Sequence, residues 1–231
     1  MQNETVSELF RRIAQRYDRM NRLMTFGLDR QWRSAAVRKL RPLKPKTLLD
    51  LAAGTGDFAQ AASKLLPSLK QIYLVDITPE MLKLALSKKP SIPDLEWHFI
   101  VADAQALPFP ESFFDAIVVG YGLRNFSDRT RALCEIYRVL RPGGMALILE
   151  TGIPRNLIWR FLFWGYFRFY VPLLGALIAK DKKAYVYLST STAAFPHREE
   201  FLYLCKEVGF VDLSYTEFLG GVSILYKLRK L

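Results

Sequence analysis

The chain has 231 residues, of which 51% are hydrophobic and 24% charged, a composition that fits a folded globular protein and excludes a disordered chain. The net charge of +11 is unevenly spread: residues 1–46 hold 12 basic and 4 acidic residues, residues 47–154 hold 10 and 12, and residues 155–231 hold 11 and 6. Basic flanks fit an anionic membrane surface or nucleic acid, and a solvated basic face is the alternative. The N-terminus lacks the apolar stretch of a secretion signal, so we expect a cytoplasmic location.

The first predicted element is helical. Residues 5–39 have apolar residues at helical spacing with many arginines between them, and the prolines of "RPLKPK" (41–46) end the pattern. We therefore expect two parts. Residues 1–46 would form a helical lid, and residues 47–231 the main domain, with an aromatic insertion at 155–196.

Beyond residue 46, apolar runs alternate with helical patterns. Strands are predicted at "TLLDLA", "QIYLVDI", "LEWHFIVAD", "FFDAIVVGY" and "MALILE", with "RPGG" as a turn before the fifth. This alternation predicts an α/β fold with a doubly wound, parallel sheet. At the C-terminal end, "FVDLSYTEFL" and "VSILYKLRK" flank Gly220-Gly221 and predict an antiparallel hairpin, unlike the six parallel strands of a dinucleotide-binding sheet.

An aromatic segment, residues 157–178, precedes the hairpin. It is long enough to span a bilayer, but Arg160 and Arg168 lie within it, and charges at membrane depth are costly. Pro172 and Gly175 interrupt its second half. We favour an interfacial or lid segment that contacts membrane or an apolar substrate; a buried core helix and a transmembrane helix are the alternatives.

A glycine-rich turn follows the first strand. The spacing Gly54-x-Gly56-x-x-Ala59 matches a dinucleotide fingerprint, and Asp76 lies 20 residues beyond Gly56 at the end of the second strand. A carboxylate there can accept hydrogen bonds from the ribose of NAD or of another adenosine ligand, or it can cap the next helix. An NAD(P)-dependent oxidoreductase is therefore one alternative that this turn leaves open.

A wider set of motifs resembles a known family. The segments "LDLAAGTGD", "VDITPEML", "ADAQALPFPESFFDAIVV" and "RVLRPGGMALILE" resemble class I S-adenosylmethionine-dependent methyltransferases. The segments "YDRMNRLMTFGLDRQW", "YGLRNFSD" and "YVYLSTSTAAFP" are similar to the ubiquinone/menaquinone biosynthesis C-methyltransferase family. The resemblance implies a Rossmann-like fold with a mostly parallel seven-stranded sheet, a C-terminal antiparallel hairpin and an N-terminal helical lid. It also implies S-adenosylmethionine as cofactor and C-methylation of a prenylated quinol, either demethylmenaquinol or the benzoquinol precursor of ubiquinone.

The resemblance assigns binding residues to the strand ends and the lid. The cofactor residues would be Asp50, Ala53, Gly54, Thr55, Gly56, Asp76, Ile77, Asp103, Ala104 and Gly120. The substrate residues would be Tyr17, Asp18, Asn21, Tyr121, Tyr185, Tyr187 and Ser191. For Tyr17, Asp18 and Asn21 the alternative is ordinary polarity on a helix surface.

Three residues are the catalytic candidates. Arg124 would stabilise a phenolate or position a water molecule, and Asn125 would hydrogen-bond a ring oxygen. Asp57 would place a carboxylate near the cofactor and the phenol proton. The alternatives are a surface ion pair of Arg124 with Asp128 and a helix N-terminal role for Asp57.

Two departures from the family pattern leave the preferred quinone ring open: Thr25 and Asp29 stand where the family usually has Ser and His. The expected partners are a lipophilic quinol and the inner face of the membrane, with no nucleic acid and no metal ion. A homodimer is one assembly that the sequence allows. A methyltransferase acting on RNA or on another small molecule is a further alternative.

Overall fold

In the computed structural model, which describes residues 6–174 and 182–231, the strands form one seven-stranded sheet in the order β3-β2-β1-β4-β5-β7-β6. The first five strands pair in parallel, whereas β7 pairs antiparallel with both β5 and β6. The predicted parallel sheet and its antiparallel terminal hairpin are therefore confirmed. The strands are β1 (Thr47–Leu51), β2 (Gln71–Asp76), β3 (Glu96–Val101), β4 (Phe114–Gly120), β5 (Leu140–Thr151), β6 (Val211–Phe218) and β7 (Ser223–Arg229).

Helices cover both faces of the sheet. They are α1 (Val6–Thr25), α2 (Leu28–Arg38), α3 (Asp57–Leu65), α4 (Pro79–Ser87), α5 (Arg129–Val139), α6 (Leu157–Gly165), α7 (Val171–Leu174), α8 (Lys182–Ala193) and α9 (Glu199–Val208). Short 3₁₀ turns lie at Arg41–Leu43, Leu123–Asn125 and Leu219–Gly221, and a π-helical turn, Tyr166–Tyr170, joins α6 to α7.

Two predicted elements differ from the structure. The single helical segment predicted over residues 5–39 is two helices, because Phe26 and Gly27 adopt left-handed φ values of 52° and 77°. The turn predicted at "RPGG" lies within β5, since the pairing with β4 shifts register between Phe114–Leu140 and Ala116–Met145. The extra residues bulge out of the ladder without ending the strand.

Alternate residues of the central strands enter two separate cores. Leu48 and Val118 are fully buried among side chains of α2, α3 and α4. Their neighbours Leu49 and Val119 are fully buried among side chains of α5 and α9. Because each strand is covered on both faces, the carboxyl ends of β1, β2 and β4 are held at one fixed edge, where the polar loops begin.

The aromatic segment is half-buried. Phe163, Phe167 and Val171 face inward at four-residue spacing, and Val171 packs with Leu9 and Ile13 of α1. The opposite side is open to solvent, so the buried-core-helix alternative describes only one of its faces. Residues 175–178 of the predicted segment lie outside the described residues. Within the described part of the chain, we find no helix with the length and apolarity needed to cross a bilayer.

Candidate active site

Two carboxylates at strand ends shape the glycine-rich turn. The Asp76 carboxylate accepts the Gly54 amide at 2.8 Å and the Thr78 amide at 2.8 Å. Asp50 accepts the Ala59 amide at 2.9 Å, in the first turn of α3. Thr78, not Asp76, occupies the N-cap position of α4, so the capping alternative for Asp76 is wrong. Each carboxylate keeps lone pairs for further donors.

The burial of the two carboxylates determines which ligand charge suits this turn. Burial raises the pKa of Asp50 well above its ordinary value, and it raises the pKa of Asp76 against the backbone donors that lower it. Two carboxylates that are costly to ionise beside a glycine turn suit a ligand that brings positive charge and hydroxyl donors. An S-adenosyl sulfonium compound with its ribose meets both requirements.

The cleft above the turn narrows at the end of β4. A Cβ atom at Gly120 would lie 2.7 Å from the Phe58 ring, so only glycine allows this close approach. The cleft contains the predicted cofactor residues Asp50, Ala53, Gly54, Thr55 and Gly120, together with Tyr17, Arg33, Ala52, Asp57 and Phe58. Ile77 and Asp103 are exposed, and the Asp103 carboxylate accepts the Gln105 amide at 2.9 Å. Ala104 is buried next to Asp103.

Helix α1 lies across the glycine turn. The Asp18 carboxylate accepts the Thr55 hydroxyl at 2.5 Å and pairs with Lys88 at 2.5 Å. Lys88 is in turn 3.5 Å from Asp57, which opens α3. Asp18, predicted as a substrate residue, therefore contacts the glycine turn that was predicted to bind the cofactor. The helix-surface alternative for Asp18 is wrong.

A second, larger cavity adjoins the cleft. It has a volume of about 330 Å³ and is walled mainly by apolar and aromatic side chains of α1, α2 and the aromatic segment. Tyr17 and Arg33 line both spaces, so the cleft and the cavity meet at these two residues. The remaining lining residues with hydroxyl, amide or charged groups are Asn21, Thr25, Asp29, Tyr121, Arg124, Thr151, Tyr166 and Tyr187.

Arg124 faces this cavity from a buried ion pair. Its Nη1 atom is 2.7 Å from Glu150, whose other oxygen accepts the Arg124 backbone amide at 3.1 Å, and Nη1 also donates to the Tyr121 carbonyl. Among the described residues, no acceptor contacts the buried Nε atom of Arg124. The surface-pair alternative is wrong, because Asp128 instead caps α5 by accepting the Arg131 amide at 2.9 Å.

Arg33 forms the second buried pair. Its Nη1 atom is 2.5 Å from Asp29 and 4.0 Å from Asp57, and its guanidinium lies 5.4 Å from the centre of the Tyr121 ring. Burial alone disfavours the charge on both arginines, but the facing carboxylates outweigh it and raise the pKa of Arg33 and Arg124. Two permanent cations therefore reach one apolar cavity.

The other predicted substrate residues and the catalytic candidate Asn125 differ in where they lie. Tyr17, Asn21, Tyr121 and Tyr187 line the cavity. The Asn125 amide accepts the Tyr187 hydroxyl at 3.2 Å and is outside the cavity lining, and the Ser191 hydroxyl donates to the Leu188 carbonyl within α8 at 3.2 Å. Tyr185 belongs to α8, but its side chain lies outside the described part of the structure.

The sequence predicts no role for three polar residues of the site. Glu150 is fully buried in β5, and its pairing with Arg124 depends on the register of two neighbouring strands. Asp29 and Arg33 are four residues apart on α2, on one face of that helix. This spacing, an acid and a base among apolar residues, is the one signal in the sequence that could have identified the second pair.

Comparison with known proteins agrees with this geometry. The sequence profile of the ubiE/COQ5 methyltransferase family matches residues 1–230. A demethylmenaquinone methyltransferase from Porphyromonas gingivalis is 39% identical over 97% of this chain and 92% of that protein. The ubiquinone/menaquinone biosynthesis C-methyltransferase UbiE of Geotalea uraniireducens is 37% identical over 96% of this chain and 95% of that protein.

Solved structures with the same fold are S-adenosylmethionine-dependent methyltransferases. One from Thermotoga maritima has a TM-score of 0.65 at 18% identity, covering 96% of this chain and 98% of that chain. Human N-acetylserotonin methyltransferase, solved in complex with S-adenosylmethionine, has a TM-score of 0.63 at 20% identity, covering 99% of this chain and 59% of that chain. These neighbours confirm the Rossmann-like methyltransferase fold. Because the family profile and the full-length relatives agree, the chain belongs to the ubiE/COQ5 methyltransferase family.

Proposed function

We propose that this chain methylates a ring carbon of a prenylated quinol in respiratory quinone biosynthesis, with S-adenosylmethionine as methyl donor. The acceptor is demethylmenaquinol, the benzoquinol precursor of ubiquinone, or both. The observation that carries the proposal is the junction at Tyr17 and Arg33, where the cleft above the glycine turn, lined by the buried Asp50, meets a large apolar cavity. Family membership and the names of its relatives support the same reaction.

The cleft residues hold the cofactor in this proposal. Asp76 accepts hydrogen bonds from the ribose hydroxyls, the turn Gly54-Thr55-Gly56 lies under the methionine part, and Asp103 accepts the adenine amino group. When bound, S-adenosylmethionine supplies an electrophilic methyl group. Residues 1–46 act as the lid over this cleft, and the contact of Asp18 with Thr55 supports that role.

The cavity residues activate the acceptor. A phenol carbon becomes nucleophilic when a neighbouring hydroxyl ionises, and a cation beside the oxygen favours the phenolate. Arg124 is suited to this task because it lines the apolar cavity and Glu150 keeps its guanidinium charged. Asn125 acts by fixing Tyr187, and Asp57 by balancing charge near the donor. The apolar walls exclude water, which strengthens these interactions.

The apolar surface around the cavity supports contact with a membrane. Phe26 and Leu219 line the cavity and are also exposed to solvent. The outer face of α6 and the π-helical turn continues this surface with Ile158, 74% exposed, Phe161, 78%, and Phe169, 71%. Arg160 and Arg168 lie on the same segment and suit anionic headgroups. In this proposal the isoprenoid tail enters from the inner face of the membrane along these side chains.

The reaction is tested with labelled S-adenosylmethionine and two acceptors, a demethylmenaquinol and the benzoquinol precursor, followed by mass measurement of the product. We expect a gain of one methyl group on a ring carbon of at least one acceptor. Transfer to neither quinol would refute the proposed function.

Membrane contact is tested by flotation with anionic and neutral liposomes. The wild-type protein should float with anionic liposomes, and the double variant Phe161→Ser, Phe169→Ser should float much less. Leu86→Ser is the matched control, because Leu86 is an equally apolar, exposed residue on α4. Equal flotation of the double variant and the wild type would remove the aromatic segment from the membrane contact.

A further inference from the structure

The apolar cavity contains one carboxylate. Among the described residues that line it, Asp29 is the only Asp, Glu or His. It opens the first turn of α2 and is 1% exposed. Replacing a ring hydrogen by a methyl group releases one proton for each methyl transferred. A group that accepts this proton must reach the quinol inside the cavity.

Among the described residues, one oxygen of Asp29 has the Thr25 hydroxyl as its only donor. Oδ2 is held by Arg33 at 2.5 Å, whereas Oδ1 lies 3.0 Å from the Thr25 hydroxyl. That hydroxyl is closer to the Asn21 carbonyl, at 2.7 Å, and has a single proton to donate. With the Thr25 proton given to Asn21, Oδ1 keeps the capacity to accept a hydrogen bond from a quinol hydroxyl.

The position of Asp29 suits the reacting end of the cavity. Its partner Arg33 lines both the cofactor cleft and the cavity, so Asp29 is one contact away from the junction of the two spaces. The pairing with Arg33 also fixes the carboxylate, which leaves its free oxygen in a defined place.

The other ionisable groups of the site are engaged elsewhere. Asp57 lines the cleft and contacts Lys88. Glu150 accepts the Arg124 guanidinium and the amides of Arg124 and Thr151, and it is outside the cavity lining. Burial raises the pKa of Tyr17, Tyr121 and Tyr187, so these phenols stay protonated and act as donors.

We propose that Asp29 is a catalytic residue that accepts the proton of the quinol hydroxyl next to the methylated carbon. This step rests on the proposed function. The hydroxyl proton passes to Oδ1, and the phenolate electron pair forms the new carbon–methyl bond as the sulfur–methyl bond breaks and its electrons return to sulfur. The proton on the methylated carbon then moves to the ring oxygen, restoring the aromatic quinol, and the proton on Asp29 leaves to water.

A binding experiment tests the carboxylate without turnover. Calorimetry with saturating S-adenosylhomocysteine compares 1-naphthol, a neutral phenol, with 2-hydroxy-1,4-naphthoquinone, which is anionic at pH 7. Asp29→Asn should shift the ratio of the two dissociation constants toward the anion by about tenfold or more, because a nearby like charge is removed. Glu207→Gln, at an exposed site on α9 outside the cavity lining, should leave the ratio unchanged.

The kinetic test uses the quinol acceptor. Asp29→Asn should lower kcat by about 10²–10³-fold, the usual size of a lost general base. An unchanged binding ratio, or a kcat close to wild type, would overturn the role of Asp29. A wild-type enzyme that methylates no quinol would instead refute the proposed function, because the binding ratio does not depend on turnover.

A second pair of variants guards against misfolding. Asp29→Asn leaves Arg33 with only Asp57, at 4.0 Å, as a counter-charge, so the variant could lose its fold. If it no longer binds S-adenosylhomocysteine, Arg33→Met is compared with Arg33→Met, Asp29→Asn, in which no stranded charge remains. The same shift toward the anion is expected between these two, and its absence would overturn the proposal.

Discussion

Asp76 holds the glycine turn in shape through two backbone amides. Its two oxygens hold the amides of Gly54 and Thr78, so the same carboxylate that would accept ribose hydroxyls keeps the turn in shape. Asp76→Ala should weaken S-adenosylhomocysteine binding by about 1.5–4 kcal/mol, because charge-assisted hydrogen bonds are lost. Titration calorimetry measures this. Glu207→Ala, at an exposed site on α9, is the control, and equal affinities would remove Asp76 from the cofactor site.

Arg124 and Glu150 are expected to separate stability from chemistry. Arg124→Met should lower kcat by about 10²-fold, as removal of a transition-state donor does, with little change in cofactor affinity. It should also destabilise the fold, because Glu150 is left buried and unpaired.

The double variant Arg124→Met, Glu150→Gln resolves these two effects. It should recover the melting temperature without recovering kcat, since the buried charge is gone but the cation is still missing. Recovery of both would show that Arg124 acts only by supporting the fold. Loss of cofactor binding in the single variant, with the fold intact, would contradict its assignment to the acceptor side.

At the residue scale, the sequence predicted where residues lie in the sheet better than which side chains they contact. Asp50, Asp76 and Gly120 could be placed because they end strands, and strand ends share one edge of a parallel sheet. The pairing of Arg124 with Glu150 depends on the register between β4 and β5, which no local pattern encodes. The contact of Asn125 with Tyr187 is equally hidden from local patterns, because the two residues are 62 positions apart in the sequence.

At the element scale, Asp18 connects helix α1 to the glycine turn. The Asp18–Thr55 hydrogen bond and the Asp18–Lys88 ion pair join α1 to the turn and to the residue that follows α4. Thr55→Val keeps the shape of the side chain but removes the hydroxyl, so the cofactor should dissociate several-fold faster, in line with the loss of about 1 kcal/mol.

Stopped-flow displacement of bound S-adenosylhomocysteine measures this rate. Thr216→Val on β6, an exposed threonine far along the chain from the turn, is the matched control. If Thr55→Val and Thr216→Val dissociate the ligand at the same rate, the contact between α1 and the turn does not retain the cofactor.

The elements themselves were largely predictable, and the exceptions have physical causes. The break between α1 and α2 depends on a left-handed Phe26, a conformation that its side chain disfavours and that helical periodicity cannot reveal. The proline and two glycines of "RPGG" favour a turn, but the strand resumes after them because Met145 pairs with both Ala116 of β4 and Arg229 of β7. Tertiary contacts outweighed local preference in both places.

At the scale of the whole molecule, the buried acid Asp50 opposes stability at neutral pH. The folded-state pKa of Asp50 is raised well above its ordinary value of 3.8 by burial. A raised pKa means that the folded state binds the proton more tightly than the unfolded state. The resulting stability is fully present below the ordinary pKa and is lost as the pH rises through the raised value.

Asp50→Asn should therefore raise the melting temperature of the ligand-free protein at pH 7.5. The gain should shrink as the pH falls toward 4, because wild-type Asp50 becomes protonated and resembles Asn, while the hydrogen bond from Ala59 is kept in both. Thermal melts of both proteins at several pH values measure this. A gain of the same size at every pH would contradict a burial effect on Asp50.

Helix α1 is a wall of both spaces, and this has a consequence for the order of binding and release. Its Asp18 touches the cofactor turn, while its Leu9, Phe10 and Ile13 line the cavity. A lipid tail packed against those apolar residues would keep helix α1 in place over bound S-adenosylhomocysteine. We therefore expect a compulsory order of release, in which the methylated quinol leaves first and S-adenosylhomocysteine leaves last. S-adenosylhomocysteine should then inhibit competitively against S-adenosylmethionine but not against the quinol.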